Sequence, residues 1–345
     1  MLESTLHLST LQSKALRIAT FLATVLVVLR HSFNLHRYYS DGGPWMPGMD
    51  ANIVFQQVFI SVTNVAIPSF FFMSGFLFFR DIQTWQDCFL KWRKRIHTLL
   101  VPYLLWNILL LFLVLGLSTI AFLRPQLKAS YELDYSASWI LDKLTLHPIM
   151  GHFWYIRTLM IFLLFAPLLH ILLQNNALSF IVLFILARCW QPIDTRILST
   201  EGALYFFCGS WMAYHGGLPI MAPWKYSIWL LIPVIYSLFP NTVFPGGIAL
   251  YMYLGWQLCL HLGKCPRISK WLLHLNQYSF FLYALHATLI SGLSLFLSRL
   301  LPHTPIYSFI AYLSCFLATV SLCLFLAFLV KRLLPGAYSV LSGGR

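Results

Sequence analysis

The sequence predicts an all-α, polytopic integral membrane protein, a helical bundle of about ten transmembrane helices in a single domain over residues 1–345. Of its 345 residues, 59% are hydrophobic and 10% are charged, whereas soluble domains are about 25% charged. The mean hydropathy is +0.75. Apolar runs recur along the whole chain, and no polar stretch between them is long enough for a soluble domain of useful size.

The apolar runs locate the individual spans, because a helix needs about 20 residues to cross the hydrocarbon core. Two runs, 178–190 and 201–215, are short and allow two interpretations, one broken element or two shallow helices. The polar connections at about 34–52 and 121–152 are consistent with external loops. In chain order, the predicted spans are 16–34, 53–79, 97–120, 153–173, 178–190, 201–215, 225–240, 244–262, 278–298 and 306–330.

Lysine and arginine predict the orientation. Basic residues concentrate at 91–95, 264–270 and 331–332, on the same side as the N-terminus, which places both termini in the cytoplasm and the protein in the inner or plasma membrane. This bias accounts for the net charge of +13 without a nucleic-acid partner and leaves membrane lipids as the expected contacts. The first run lacks a small-residue cleavage site, so we interpret it as a retained helix. The seven cysteines form no CxxC pair, and we expect neither a disulfide framework nor a metal.

Arg17 and His31 lie on one face of the first span. They are about 1400° apart around a helix, which is about 40° short of four full turns, and about 21 Å apart along its axis. Ionisable residues inside a membrane are costly and therefore suggest function. With the N-terminus inside, Arg17 lies at the inner leaflet and His31 toward the outer one, so the pair indicates a polar cavity that crosses the bilayer.

The second span contains Pro68, which kinks the helix, and Asn64, which is placed to partner the freed carbonyl. Ser74 and Gly75 allow another backbone or a substrate to approach closely, and ordinary helix packing is the alternative interpretation. The basic cluster at 91–95, which precedes the third span, is open to two interpretations: a topology anchor beside anionic headgroups, which the sequence favours, or a phosphate site.

Polar and aromatic residues mark the fourth and ninth spans. His152, Trp154 and Tyr155 suit an outer interface, and Arg157, about one turn deeper, should face the bundle interior or a water-filled cavity. His286 lies well inside the ninth span, either as a neutral packing residue or as a cavity residue.

Five motifs in chain order resemble the integral-membrane acyltransferase 3 family and extend from residue 16 to residue 286. They are the LR…LVVLRH first helix, VAIPSFFFMSGFL, KRIHTLLVPYLLWN, HFWYIRTLM…APLL and LNQYSFFLYALH. Members of that family have about ten helices and move acyl groups, usually acetyl from cytoplasmic acetyl-CoA, onto hydroxyls of surface glycans, lipid-linked sugars or related acceptors.

The resemblance implies roles for individual residues. His31 would be the catalytic histidine, either as the general base or as a covalent acyl carrier, and Arg17 its partner near the CoA phosphates or the thioester. Candidate oxyanion donors are Ser74, His286 or a backbone N–H. The residues implied to bind the nucleotide part of CoA are Arg80, Arg93, Lys94 and Arg95.

The chain departs from the family pattern at three places. Arg17 and His31 are farther apart than is usual, and Asn64 and Thr98 stand near positions that are commonly basic in the family. Two other functions therefore stay open. A multi-pass transporter or exporter of a glycan or lipid-linked precursor also has ionisable residues in a central cavity and Pro-broken helices, although the two halves show no inverted repeat. A non-catalytic relative would only bind or sense a ligand.

Overall fold

The computed structural model describes residues 8–34, 56, 58–59, 61–190, 197–222 and 245–344. Within these ranges the protein is all-helical and has no β-strand, which confirms the predicted all-α class. The predicted span 225–240 and most of the predicted loop 34–52 lie outside the described residues.

The described helices follow the apolar runs closely, with shorter helices in the connections. A π-helical turn, Ile96–Leu100, joins α3 to α4, and a 3₁₀ turn, Gly151–Phe153, precedes α7. In chain order, the helices are α1 Thr10–His31, α2 Ala66–Phe79, α3 Trp85–Arg95, α4 Val101–Leu117, α5 Arg124–Tyr131, α6 Ala137–Leu144, α7 Trp154–Leu164, α8 Ala166–Leu173, α9 Asn176–Arg188, α10 Thr200–His215, α11 Pro245–Lys264, α12 Pro266–Asn276, α13 Ser279–Leu300, α14 Pro305–Leu333 and α15 Pro335–Leu341.

The described part of the chain contains fewer segments able to span a membrane than the ten predicted. Among the described residues, five helical segments are long and apolar enough to cross a membrane, and a sixth is added if the pair α7 and α8, bent by 62°, is one span. These segments identify a multi-pass membrane protein, but the predicted ten spans are not confirmed. The five segments are Thr10–His31, Ser61–Phe79, Trp85–Leu117, Ser279–Leu300 and Pro305–Leu333.

Length and composition explain the difference. Helices α9 and α10 have 13 and 16 residues, less than a perpendicular crossing requires. Helix α11 has 20 residues, but its glycines and tyrosines together with Gln257 and His261 lower its hydropathy. The break between α7 and α8 coincides with Pro167, whose missing N–H ends one helix and begins the next.

Pro68 acts as predicted, because the helix is interrupted just before it. Residues 64–65 form a turn, and the regular helix resumes at Ala66. Proline cannot donate to the carbonyl four residues earlier, which in this chain is the carbonyl of Asn64. The interruption thus lies where the hydrogen bond is missing.

Helices α2 and α10 approach each other at glycines. A Cβ atom on Gly75 would lie 2.2 Å from the carbonyl oxygen of Phe206, and one on Gly209 would lie 2.0 Å from that of Phe72. Small residues at such positions let helix backbones approach closely, and van der Waals packing then stabilises the pair. Gly75 therefore allows the close approach of another helix backbone, which is one of the two approaches that the sequence predicts.

Helix α1 is the central element of the described bundle. It packs against α2, α11, α12, α13 and α14, and it buries Ile18, Phe21 and Val28 among them. Ser9 caps its N-terminus through a reciprocal pair of hydrogen bonds with Gln12. Because α1 is surrounded, residues on several of its faces are buried against neighbouring helices.

Candidate functional site

Two polar cavities lie along α1. His31 lines one of them, and Arg17 lines the other. The histidine cavity has a volume of about 430 Å³ and includes His31 and His152 in its wall. The arginine cavity has a volume of about 490 Å³ and includes Arg17, Arg95 and Ser74. The predicted polar path through the bundle is therefore two separate chambers.

The histidine cavity is covered by the connection between α4 and α7. Ser130, Tyr131 and Glu132 at the end of α5 line it, and so does Lys143 of α6. Lys143 Nζ lies 3.7 Å from Glu132 Oε2, so the cover carries an ion pair. Burial raises the pKa of Tyr131, which keeps its hydroxyl protonated and able to donate.

Three histidines that are distant in sequence meet beneath this cavity. The ring centroids of His31 and His286 are 5.1 Å apart, and those of His286 and His152 are 4.7 Å apart. His286 Nδ1 donates to the carbonyl of Tyr283 at 2.7 Å, and His152 Nε2 donates to the carbonyl of Ala284 at 3.2 Å. His31 is exposed to the cavity, whereas His286 is fully buried.

The histidine cluster is not arranged as a metal centre. Among the described residues, no three His, Cys, Asp or Glu side chains are grouped so that they could hold a metal ion. The hydrogen bonds from His286 Nδ1 and His152 Nε2 to backbone carbonyls fix the orientation of both rings. Imidazole rings in contact can exchange protons near neutral pH.

The arginine cavity collects basic and polar groups from six helices, α1, α2, α3, α7, α12 and α13. Arg17 and two threonines come from α1, Ser74 from α2, Arg95 from α3, and Asn276 from the end of α12. The Ser74 and Tyr155 hydroxyls lie 3.1 Å apart within it. Two guanidinium groups in one chamber favour an anionic ligand, and Arg suits phosphate groups in particular.

A single layer of side chains divides the two cavities. We call Tyr155, Tyr283, His152 and His286 the dividing layer. Tyr283 lines the arginine cavity, and its hydroxyl donates to the carbonyl of His152, which lines the histidine cavity, at 2.5 Å. The rings of Tyr283 and His152 are 5.3 Å apart. A residue that lines one chamber therefore contacts a residue that lines the other.

The two tyrosines of the dividing layer were not among the predicted site residues. Each is close in sequence to a predicted site residue. Tyr155 follows Trp154, and Tyr283 lies in the same YALH motif as His286. An aromatic residue in an apolar run carries little information on its own, because belts and helix packing use the same residue types. Only the hydrogen bonds of the folded chain distinguish these two.

The basic cluster at 91–95 divides between the cavity and the surface. Arg95 lines the arginine cavity, while Arg93 and Lys94 are exposed on α3 and line neither cavity. Lys91 donates to the carbonyl of Phe78, and Trp92 Nε1 donates to that of Leu163 at 2.6 Å, so both attach α3 to the bundle. The anchor and phosphate-site interpretations of this cluster both stay predictions.

The remaining predicted site residues lie outside both cavities. Arg80 pairs with its neighbour Asp81 at 3.1 Å. Asn64 accepts a hydrogen bond from Arg30 at 2.6 Å. Trp154 packs against Phe71, with ring centroids 6.3 Å apart.

Arg157 is buried, as predicted, but it lines neither cavity. It donates to the carbonyl of Leu146 and, at 3.2 Å, to the carbonyl of Ile197. Thr158 Oγ1 also donates to Ile197, at 3.2 Å. The guanidinium therefore joins the connection after α6 to the segment before α10, and its role is to stabilise the fold.

Replacing Arg157 with methionine should lower the thermal stability of the protein. The change keeps the side-chain bulk but removes bonds to two carbonyls, and hydrogen bonds from a charged group contribute about 1.5–3 kcal/mol each. Thermal unfolding of the detergent-solubilised protein would measure the loss. Arg188→Met, at an exposed arginine on α9, is the matched control. Equal melting temperatures for the two variants would contradict the structural position of Arg157.

The comparison with family models identifies the chain. The acyltransferase 3 family model, described as an acyltransferase domain, matches residues 14–328. The chain belongs to the acyltransferase 3 family. The match covers nearly the whole chain, includes both cavities and the dividing layer, and confirms the resemblance carried by the five motifs. Comparisons with curated proteins and with solved structures give no match.

Membership of the acyltransferase 3 family makes this protein a membrane acyltransferase. Acyl transfer needs a site for the donor, a site for the acceptor, and a base between them.

Proposed function

We propose that this protein is an O-acyltransferase that moves an acyl group, acetyl by preference, from cytoplasmic acyl-CoA to a hydroxyl of a surface or lipid-linked glycan. The observation that carries the proposal is the pair of cavities on either side of the dividing layer, one with Arg17 and one with His31. The predicted orientation puts the arginine cavity on the cytoplasmic side. The acceptor then binds on the opposite side of the same layer.

The donor part of the proposal rests on the charge of the arginine cavity. Arg17 and Arg95 both line it, and guanidinium groups bind phosphate through directed, charge-assisted hydrogen bonds. Arg93 and Lys94 are exposed close to Arg95 along α3. We assign them, with Arg80, to the approach of the nucleotide part of CoA.

The acceptor part rests on the polar wall of the histidine cavity. Ser130, Glu132, Lys143, Thr288 and Ser291 present hydroxyls and one ion pair to the chamber beside His31. A polyhydroxylated ligand needs several donors and acceptors that are fixed in direction, and this wall offers both kinds. A glycan hydroxyl held there would lie next to the imidazole.

The chemistry proposed for His31 is general base catalysis. The neutral imidazole takes the proton of the acceptor hydroxyl, and the hydroxyl oxygen attacks the thioester carbonyl. The tetrahedral intermediate then collapses, the acyl–sulfur bond breaks, and His31 returns the proton to the CoA thiolate. The alternative, a covalent acyl group on His31, uses the same nitrogen as nucleophile. In either case, a side chain of the dividing layer must move to let the thioester reach His31.

Replacing Arg17 with alanine should weaken donor binding. We expect the KM for acetyl-CoA to rise about 10-fold, because one charge-assisted hydrogen bond contributes about 1.5 kcal/mol, with a smaller change in kcat. Lys14→Ala is the matched control, since Lys14 is an exposed cation on the same helix that does not line the arginine cavity. An unchanged KM in the Arg17 variant would assign Arg17 to the acceptor or to the fold.

The proposed function is tested by measuring CoA release from acetyl-CoA in purified membranes with candidate glycan acceptors. The cell-surface glycan is analysed in parallel by mass spectrometry, with and without the protein. We expect protein-dependent CoA release and a mass difference of one acetyl group. Glycan export without CoA release would indicate a transporter, and acetyl-CoA binding without release would indicate a non-catalytic relative. Either result would overturn the proposal.

A further inference from the structure

His286 has a buried nitrogen with no hydrogen-bond partner among the described residues. Its side chain is fully buried in α13, and Nδ1 donates to the carbonyl of Tyr283 at 2.7 Å. A neutral imidazole that donates from Nδ1 has a lone pair on Nε2. That Nε2 is the unpartnered atom. Because buried polar groups are nearly always satisfied, this lone pair needs an explanation.

Two other imidazoles contact the His286 ring, and only one of them has an N–H that could donate to His286 Nε2. His152 uses its Nε2–H for the carbonyl of Ala284 at 3.2 Å, so its Nδ1 is itself an acceptor when the ring is neutral. The third ring in contact, Tyr283, donates its hydroxyl to the carbonyl of His152 at 2.5 Å. His31 is the remaining neighbour, with its ring centroid 5.1 Å from that of His286.

We propose that His286 is the positioning residue for His31, accepting the N–H of the His31 ring at its unpartnered Nε2. The inference rests on the proposed function and goes beyond it by assigning the partner of the base. His31 is exposed to its cavity, and the contact requires its ring to turn toward His286. In the described part of the chain no carboxylate forms a salt bridge with His31, so a neutral histidine takes the orienting position.

This contact determines which nitrogen of His31 acts as base. Once one ring nitrogen donates to His286, the other has the lone pair and points away from the dividing layer toward the histidine cavity. That nitrogen takes the proton of the acceptor hydroxyl and later returns it to the CoA sulfur, so no proton is gained or lost at His286. The orienting bond persists through the reaction, as hydrogen bonds that orient catalytic imidazoles generally do.

The test uses two substitutions that keep different halves of the imidazole. Asparagine places its amide nitrogen near the Nδ1 position and keeps the bond to Tyr283, whereas glutamine reaches the Nε2 position with an acceptor oxygen. We expect His286→Asn to lower kcat for acetyl transfer by about 10- to 100-fold with little change in the KM for acetyl-CoA. We expect His286→Gln to recover a substantial part of that loss.

The opposite order of the two variants would overturn the inference, because it would show that the bond to Tyr283 is what matters. His303→Asn, at an exposed histidine that lines neither cavity, controls for the substitution itself. Absence of acetyl transfer in the wild-type protein would refute the proposed function instead, which keeps the two failures distinct.

A second measurement requires neither activity nor a substituted His286. In full-length protein with ¹⁵N-labelled histidine, solid-state NMR in lipid bilayers should show a nitrogen–nitrogen correlation that joins the His31 and His286 rings. It should disappear in His31→Ala. A spectrum in which His286 Nε2 correlates with no other imidazole nitrogen would overturn the inference.

Discussion

Replacing His31 with alanine should abolish acyl transfer while leaving a folded protein in the membrane. His31 is the cluster member that is exposed to the histidine cavity, whereas His152 and His286 are buried and donate to carbonyls. General base catalysis contributes about 10²- to 10⁴-fold to a rate, and a covalent role would make the loss complete. The measurement is CoA release from acetyl-CoA in purified membranes.

The folded state should survive because His31 contributes little to packing. It is the last residue of α1, and the buried residues of that helix end at Val28. His303→Ala, at another exposed histidine, is the matched control and should retain full activity. Glycan acetylation that persists in the His31 variant would contradict the assignment of His31 as the base or nucleophile.

Replacing Gly209 with alanine should strongly destabilise the protein. The added Cβ would lie 2.0 Å from the carbonyl oxygen of Phe72 and 2.8 Å from its carbonyl carbon. These are backbone atoms inside α2, so the two helices must separate to make room. Overpacking a tight contact costs about 1–3 kcal/mol, and separating the helices also weakens the van der Waals packing along the whole pair. We expect low accumulation and a reduced melting temperature in detergent.

The control for this prediction is Gly116→Ala in α4, where a Cβ would meet nothing within 4 Å. Alanine is favoured over glycine inside a helix by about 1 kcal/mol. The control should therefore be as stable as the wild type or slightly more stable. Similar melting temperatures for both variants would show that α2 and α10 do not pack backbone against backbone at Gly209.

Local sequence patterns predict much of the fold, because helix formation and hydropathy depend on neighbouring residues. The all-α class, the presence of α1 and the break at Pro68 follow from apolar periodicity and from proline chemistry. The position of Arg17 and His31 on one face of α1 follows from the same periodicity. The family follows from five motifs in order. The number of transmembrane helices does not follow from the same patterns, because a short apolar run fits a buried helix as well as a helix that crosses the membrane.

Contacts between distant residues could not be predicted, because they depend on how each helix rotates against its neighbours. The sequence marks His152 and His286 as separate candidates, and only the packing of the 3₁₀ turn before α7 against α13 brings their rings to 4.7 Å. It marks Arg93, Lys94 and Arg95 equally, yet helix rotation turns Arg95 alone of the three into the arginine cavity.

The sequence by itself determined the class, the membrane location and the two polar residues on the face of α1. These follow from the cost of placing charge in hydrocarbon and from a helical repeat that is the same in every context. The tertiary structure decided that the polar path is two cavities with a dividing layer between them. It also decided that Arg157 stabilises the fold outside those cavities, because a buried guanidinium binds whichever carbonyls the packing brings within reach.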